Sequence, residues 1–372
     1  LSDFTTFDRS CMARAMQLAR QGWYTARPNP RVGCVIAVGG DVVGEGYHHR
    51  AGEPHAEVNA LRDAGDRARG AIAYVTLEPC NHQGRTGPCA QALIEAGIGE
   101  VVYAMADPHQ AASGGLDTLR SAGIKVRGPL LEAEARQLNP GFIKRCATGL
   151  PRVTVKLAMS LDGRTAMASG ESQWITGPAA RRDVQLMRAA SDAVITGVGT
   201  VLRDDPAMTV RAPLLERPDG EEIARHQPLR VIVDSQLRTP ASAQILQLPG
   251  PVLIATNRVD PAQNYSAALQ SPEILTFTAS GEGVDLEALL RELARRECSE
   301  VLVEAGSQLC GAFMAAGLVD QLVVYMAPKL MGSNAMPLLT LPLDAMGQSI
   351  DMKITEICAV GSDWRITART GK

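Results

Sequence analysis

The chain is poor in aromatic residues and has no surplus of positive charge. Phe, Trp and Tyr make up 4% of its 372 residues, and the formal net charge is -3. A protein that tracks nucleic acid needs a basic stripe and stacking aromatics, and neither is evident in the composition. Long apolar runs are also missing: none approaches the roughly 18–20 residues that a membrane span needs. The opening stretch LSDFTTFDRSCMARAMQLAR lacks the apolar core of a signal peptide, and Leu1 in place of Met suggests a trimmed start. The cysteines Cys11, Cys34, Cys80, Cys89, Cys146, Cys298, Cys310 and Cys358 are scattered without a disulfide framework. With no export signal, they predict reduced thiols in the cytoplasm. What is present, 45% hydrophobic and 21% charged residues, is ordinary globular composition over a length that suits two domains.

Hydrophobic periodicity then marks the elements. Asp8–Gln21 sets Met12, Ala15, Met16 and Ala19 at helical spacing, and Gly22 can close the helix. Val32–Val38 and Val42–Tyr47 read as strands joined by Gly39-Gly40-Asp41, a hairpin signal. Ala56–Ala64, Cys89–Ala96 and Leu116–Ser121 are predicted helices; Ala71–Leu77, Val101–Met105 and Ile124–Val126 are predicted strands. Thr148, Gly149 and Pro151 punctuate the chain, after which the pattern restarts. Strands are predicted at Val153–Leu157, Ala193–Thr196, Arg230–Asp234, Pro251–Ala255, Glu300–Val303 and Leu322–Ala327. Helices are predicted at Pro178–Ala190, capped by Thr176, at Leu286–Arg295 and at Gly306–Ala316. The polar, Pro-rich segment Arg203–Gln227 reads as a long loop. Alternating strands and helices predict an α/β fold in two domains, residues 1–149 and 150–372.

The stretch Pro54–Cys89, PHAEVNALRDAGDRARGAIAYVTLEPCNHQGRTGPC, places an imidazole, a carboxylate and two thiols close together. Thiolate, thiolate and imidazole are ligand types that Zn²⁺ prefers, so His55, Cys80 and Cys89 are candidate ligands. Three protein ligands leave a fourth position open, which marks a catalytic site, where zinc lowers the pKa of its water. Glu57, two places after His55 at a helix start, can face that water and shuttle its proton. Pro79 and Pro88 fix the entry to each cysteine, and Cys89 opens a helix whose N-terminus favours a thiolate. The rival reading is a closed structural site with His82 as fourth ligand, which leaves Glu57 without a role.

His55-Ala56-Glu57 and Pro79-Cys80 fit the zinc deaminase signature H-x-E…P-C-x-x-C, but Asn81–Pro88 separates the two cysteines. That longer spacing, with PNPRVGCVI, GEGYHHRAGEPHAE and VTLEPC, resembles the deaminase half of the bifunctional riboflavin-biosynthesis deaminase/reductase family. The resemblance spans most of residues 8–149. It implies a cytidine-deaminase-like α/β/α sandwich, with Asn29 and His48 holding the pyrimidine and Arg85 and Asp107 holding the ribose phosphate side. His109 departs from the Asn usual in the family.

In the second half, VKLAMSLDGRTA, ESQWITG, VITGVGTVLRDDPAMTVR and VLVEAGSQLCGAF end strands in glycines and polar residues. No G-x-G-x-x-G fingerprint opens the domain, so a Rossmann fold is not predicted. These stretches resemble the reductase half of the same family over about residues 152–330. The resemblance implies a dihydrofolate-reductase-like α/β domain that uses NADPH. Ala158, Trp174, Thr200, Asp204, Ser235 and the run Gly306, Ser307, Gln308, Leu309, Cys310, Gly311, Ala312 would contact the cofactor. Lys156, Ser172, Arg188, Met208, Arg211 and Glu304 would contact substrate, while Arg181 and Arg182 read as a solvated helix face. The implied reactions are zinc-dependent deamination of a pyrimidine ribosyl phosphate and NADPH-dependent reduction of its ribosyl chain. The expected partners are small molecules, without nucleic acid or membrane, in a homo-oligomer. Two other classes stay open here: a nucleic-acid-editing deaminase with an accessory domain, and a non-catalytic zinc module.

Overall fold

A computed structural model describes residues 4–81, 87–258, 265, 268, 271–278, 281 and 283–371. The chain divides into two compact units, Leu1–Thr148 and Gly149–Lys372.

The first unit runs α1 (Thr6–Gln21), β1 (Gly33–Val38), β2 (Asp41–Tyr47), α2 (Ala56–Ala64), β3 (Ile72–Val75), α3 (Cys89–Glu95), β4 (Glu100–Tyr103), α4 (Gly115–Ser121), β5 (Lys125–Arg127), α5 (Glu132–Arg136) and α6 (Pro140–Thr148). Its sheet has the order β2-β1-β3-β4-β5. β1 pairs antiparallel with β2 and β3, and β3, β4 and β5 are parallel. Side chains alternate across the sheet. Val35 and Ala37 join Met12, Ala15 and Met16 of α1 on one face; Cys34 and Ile36 join Ala56, Ala60, Ala90, Leu93 and Leu119 of α2, α3 and α4 on the other. A sheet covered on both faces explains why β1 reads as an unbroken apolar run, GCVIAV. Each fully buried Leu or Ile of these layers contributes roughly 1.5–3 kcal/mol.

Two glycines seat α2 on the sheet. A Cβ at Gly46 would lie 2.4 Å from the Ala60 nitrogen, and one at Gly44 2.4 Å from the Ala60 oxygen. Only hydrogen fits, so β2 and α2 touch backbone to backbone, and the start of α2 is held in place.

The second unit runs β6 (Arg152–Ser160), β7 (Arg164–Ala166), α7 (Pro178–Ala189), β8 (Ala193–Gly197), α8 (Val198–Asp204), α9 (Gly220–Arg225), β9 (Leu229–Val233), α10 (Gln244–Gln247), β10 (Val252–Thr256), β11 (Glu273–Thr276), α11 (Leu286–Arg295), β12 (Glu300–Val303), α12 (Ser307–Ala315), β13 (Gln321–Ala327), β14 (Met336–Pro337), β15 (Met352–Val360) and β16 (Asp363–Thr370). The sheet order is β11-β10-β9-β8-β12-β6-β13-β16-β15. From β11 to β13 all pairs are parallel, and β16 and β15 close the sheet antiparallel. Leu289, Leu293 and Phe313 of α11 and α12 pack on Val153, Ile195 and Val303; Val201 and Ile245 pack on Val194, Ile232 and Leu302.

Three expectations are corrected. Arg203–Gln227 is not one loop: α8 runs into it, a 3₁₀ turn covers Ala212–Leu214, and α9 lies within it. The helix expected at Pro178 starts from Gly177, not from a Thr176 cap. The C-terminal hairpin of β15 and β16 adds to the expected elements; β15 keeps most of its residues exposed, and its sequence MKITEICAV does not alternate regularly between apolar and polar residues.

Candidate metal centre and reductase site

His55 is the residue before the first turn of α2, in extended conformation, and its side chain caps nothing. The ring is therefore free to point elsewhere. Cys89 is the first residue of α3, after Pro88. Gly115 leaves room for the loop that brings Cys80: a Cβ there would lie 1.8 Å from the Pro79 oxygen. These placements converge. His55 Nδ1 lies 3.2 Å from Cys89 Sγ and 3.5 Å from Cys80 Sγ. The Cys89 backbone N–H donates to Cys80 Sγ at 3.4 Å. All three candidate ligand atoms lie within 4.8 Å of one another, and no fourth His, Cys, Asp or Glu joins them among the described residues.

The electrostatics follow from this crowding. Cys80 is pushed down to about 4, first by the hydrogen bond from the Cys89 thiol and also by those from His55 and the Cys89 backbone. Cys89 is pushed far up, because it shares its proton with Cys80. His55 is raised by its hydrogen bond to Cys80. Glu57, only 3% exposed, is pushed up to about 7, first by burial and then by the negative Cys80. A site that crams two sulfurs and an imidazole together in this way suits a divalent cation. Bond lengths of roughly 2.3 Å to sulfur and 2.0–2.1 Å to nitrogen set the S and N corners of a zinc tetrahedron roughly 3.6 Å apart, close to the spacing found.

His48 is 2% exposed. Its Nδ1 lies 3.2 Å from the Pro54 carbonyl oxygen, and its Nε2 3.0 Å from Asn29 Nδ2. Burial pushes the ring down to about 4, so it is neutral at neutral pH. Asp107 is raised to about 6, chiefly by burial, and accepts the His109 backbone N–H at 2.8 Å. His109 itself is exposed and stacks its ring on Phe142. Arg85 and His82 lie outside the described residues.

One residue escaped the sequence reading. The Glu78 carboxylate accepts N–H groups from Asp107, Gly114 and Leu116 at 3.1, 2.8 and 3.4 Å. It ties the loop entering Cys80 to the loop carrying Asp107. The motif LEPC contained it, but its partners lie too far along the chain for spacing to reveal them.

In the second unit, Arg188 and Glu304 form a two-pronged pair at 2.6 and 3.0 Å, and Arg188 also donates to the Thr209 carbonyl and Met208 sulfur. Lys156 lies close enough that Glu304 counteracts the lowering caused by its burial. Arg211 is lowered by burial, then by the nearby charges of Arg188 and Arg181. Arg181 is not simply a solvated helix residue: it is half-buried, with its guanidinium 4.5 Å from the centre of the Trp174 ring. Three guanidiniums drawn together are suited to an anion. Ser172 Oγ lies 3.4 Å from Asp204 Oδ1. Thr200 and Asp204 sit on α8, and Ala158 lies near the end of β6. Ser235 follows β9 and accepts from Thr256 through its carbonyl.

The run 306–312 divides in two. Gly306 immediately precedes α12, and among the described residues no atom beyond its own stretch of chain comes within 4 Å of where its Cβ would be; the same holds for Gly199 in α8. Neither has a positive φ, so packing and backbone strain give no reason for glycine. Open space at a helix start suits the close approach of a phosphate-bearing cofactor. By contrast, the Cys310 thiol is fully buried and donates to the Ala305 carbonyl, and a Cβ at Gly311 would strike Thr340. Neither side-chain position faces open space.

Comparison with known proteins covers both halves of the chain. The family described as the RibD C-terminal domain matches residues 151–366, further than the sequence resemblance reached, and the cytidine and deoxycytidylate deaminase zinc-binding region matches 5–105. Riboflavin biosynthesis protein RibD of Escherichia coli (strain K12) is 50% identical, over 96% of this chain and 97% of its own. That of Haemophilus influenzae is 45% identical, over 98% of both chains. A solved structure of Acinetobacter baumannii RibD superposes with a TM-score of 0.90 at 43% identity, covering 98% of this chain and 99% of that one. The Thermotoga maritima diaminohydroxyphosphoribosylaminopyrimidine deaminase/5-amino-6-(5-phosphoribosylamino)uracil reductase does so with 0.85 at 31% identity, again covering 98% and 99%. Since these matches run nearly end to end and keep both halves in one order, the chain belongs to the bifunctional deaminase/reductase family of riboflavin biosynthesis, whose deaminase half uses zinc and whose reductase half uses NADPH.

Proposed function

We propose that the first unit hydrolyses the 2-amino group of 2,5-diamino-6-ribosylamino-4(3H)-pyrimidinone 5′-phosphate. The second then reduces the ribosyl chain to ribityl, giving 5-amino-6-ribitylamino-uracil 5′-phosphate. The observation that carries the first step is the buried Glu57 beside the His55, Cys80 and Cys89 cluster. Those three residues would hold Zn²⁺, which when bound supplies a Lewis acid that makes water reactive at neutral pH. Glu57 takes a proton from the attacking water at its carboxyl and hands it to the departing amine. A buried carboxylate beside the metal ligands is placed for both transfers. Asn29 meets the pyrimidine, and Asp107 and Arg85 the ribose phosphate.

In the reductase unit, Lys156, Ser172, Arg188, Met208, Arg211 and Glu304 hold substrate, with the gathered arginines on its phosphate. Ala158, Trp174, Thr200, Asp204, Ser235 and the backbone of residues 306–312 hold NADPH, which when bound supplies the hydride. No side chain here needs to act as a nucleophile.

The test is Glu57→Gln. The variant should keep its zinc and lose roughly 10²–10⁴-fold in ammonia release. Undiminished release would refute the role. We further propose a homo-oligomer: β15 is an edge strand that exposes Ile354 and Ile357, each 56% accessible, and such edges are normally covered. Sedimentation should give a mass above the 39.5 kDa of one chain. A cytoplasmic location is supported by eight free cysteines, and cell fractionation would check it.

A further inference from the structure

We propose that Gln185 is a positioning residue of the reductase half: its amide fixes the backbone of Arg211, so that this third guanidinium stands beside those of Arg181 and Arg188. The inference rests on the reductase reading above and adds one residue to it.

The loop that carries Arg211 has no regular structure. Between α8 and the 3₁₀ turn at Ala212–Leu214, residues 206–210 make no backbone-to-backbone hydrogen bond among the described residues. Yet Met208, Thr209 and Val210 are buried, and buried backbone groups need partners. Side chains supply them. Arg188 Nη1 donates to the Thr209 carbonyl at 3.2 Å. Gln227 pairs with Val210 as a neighbouring strand would: its Oε1 accepts the Val210 N–H and its Nε2 donates to the Val210 carbonyl, both at 2.8 Å. The Arg211 N–H donates to Gln185 Oε1 at 2.9 Å.

The Arg211 side chain lacks such support. The residue is exposed, and its guanidinium makes no hydrogen bond to protein among the described residues. The like charges of Arg188 and Arg181 lie near enough to act on it, and they repel it. The point where its backbone is held therefore decides where the charge can stand.

Arg181, Gln185 and Arg188 all belong to α7, at steps of four and three residues. That spacing lines them along one side of the helix. The same helix side thus carries two of the three guanidiniums and the acceptor that holds the third. Gln185 is 2% exposed, and burying an amide is costly unless it is hydrogen-bonded. A glutamate would accept the same N–H but would set a negative charge among three positive ones. The neutral amide anchors Arg211 and leaves their charge to an anion.

The experiment uses the full-length zinc-loaded chain. Arg211→Ala, Gln185→Met and the double variant are compared in NADPH oxidation on the deaminated pyrimidine phosphate and on its dephosphorylated form. Methionine keeps the length of glutamine and removes the acceptor, while Gln227 and Arg188 still hold the loop. Gln185→Met should lose at least roughly tenfold in kcat/KM on the phosphate, mostly through KM, and stay within roughly threefold of the parent on the dephosphorylated form. The double variant should lose no more than the worse single. Equal losses on both compounds would overturn the proposal, because Gln185 would then serve the fold in general. Losses that multiply in the double variant would overturn it too, since the two residues would act independently. If Arg211→Ala matches the parent on the phosphate, the substrate reading of Arg211 fails and the proposal falls with it. If Arg211→Ala loses and Gln185→Met does not, the proposal alone falls.

A readout independent of activity is hydrogen exchange at the Arg211 amide. It should exchange at least roughly fivefold faster in Gln185→Met than in the parent, and at the parental rate in Gln185→Glu, which keeps the acceptor. Fast exchange in Gln185→Glu as well would assign the protection to packing and overturn the anchor. Equal rates in the parent and Gln185→Met would do the same, whether or not the protein reduces any substrate.

Discussion

Asp107 shows how one buried carboxyl can cost the fold stability. Burial holds its carboxyl at about 6, against an ordinary 3.8. Between those values the unfolded chain has released a proton that the folded chain keeps. Stability contributed by this group is therefore full below about 3.8, falls as pH rises through the window, and stays lost above about 6. An asparagine at this position would carry no such penalty, and its amide oxygen could still accept the His109 N–H that Asp107 now accepts at 2.8 Å. Asp107→Asn should therefore be more stable than the parent by ~1–3 kcal/mol at about pH 8, and equally stable at about pH 4. It should also deaminate less well. Urea unfolding at both pH values measures the difference, and parallel curves would remove burial as the cause. At this scale the clustering of His55, Cys80 and Cys89 was legible because their residue types suit one metal and two of them sit at helix starts: His55 precedes α2, and Cys89 opens α3. Glu78 was not legible, since its acceptor role depends on N–H groups of Asp107, Gly114 and Leu116, which only folding brings near.

Elements were most readable where periodicity had one meaning. Ala56–Ala64 and Leu286–Arg295 keep their expected bounds, because each has an apolar stripe and a clear stop. The β15–β16 hairpin and α9 were invisible for the opposite reason: short or exposed elements owe their structure to neighbours, not to their own pattern. Glycines resolve into two kinds at this scale. Gly44 and Gly46 are required by the helix lying on β2, so Gly46→Ala would force strand and helix apart. Gly199 lies in the first turn of α8 without a positive φ, and among the described residues no atom beyond its own helix backbone comes within 4 Å of the place a methyl group would take. Alanine there should be neutral or stabilising by up to ~1 kcal/mol, since it lowers the entropy lost on folding. If α8 faces NADPH, the same methyl should weaken cofactor binding at least roughly tenfold, a loss of about 1.4 kcal/mol. Thermal melts and NADPH fluorescence titration separate the two effects. Unchanged affinity would remove Gly199 from the cofactor surface.

At the scale of the whole chain, each unit holds its own chemistry. The ligand cluster His55, Cys80 and Cys89 lies within Leu1–Thr148, while Lys156, Arg188, Arg211 and Glu304 lie within Gly149–Lys372. Each unit has its own sheet and its own buried core. Stripping zinc from the full chain with a chelator should therefore abolish ammonia release. It should leave NADPH oxidation intact when the deaminated pyrimidine phosphate is supplied directly. With the undeaminated substrate, the stripped protein should oxidise no NADPH, and restoring zinc should restore both readings together. Oxidation of NADPH on the undeaminated compound would show that the reductase does not require the product of the first step. Loss of reduction on the deaminated compound after chelation would mean that the metal supports the second unit as well, contrary to the separate cores.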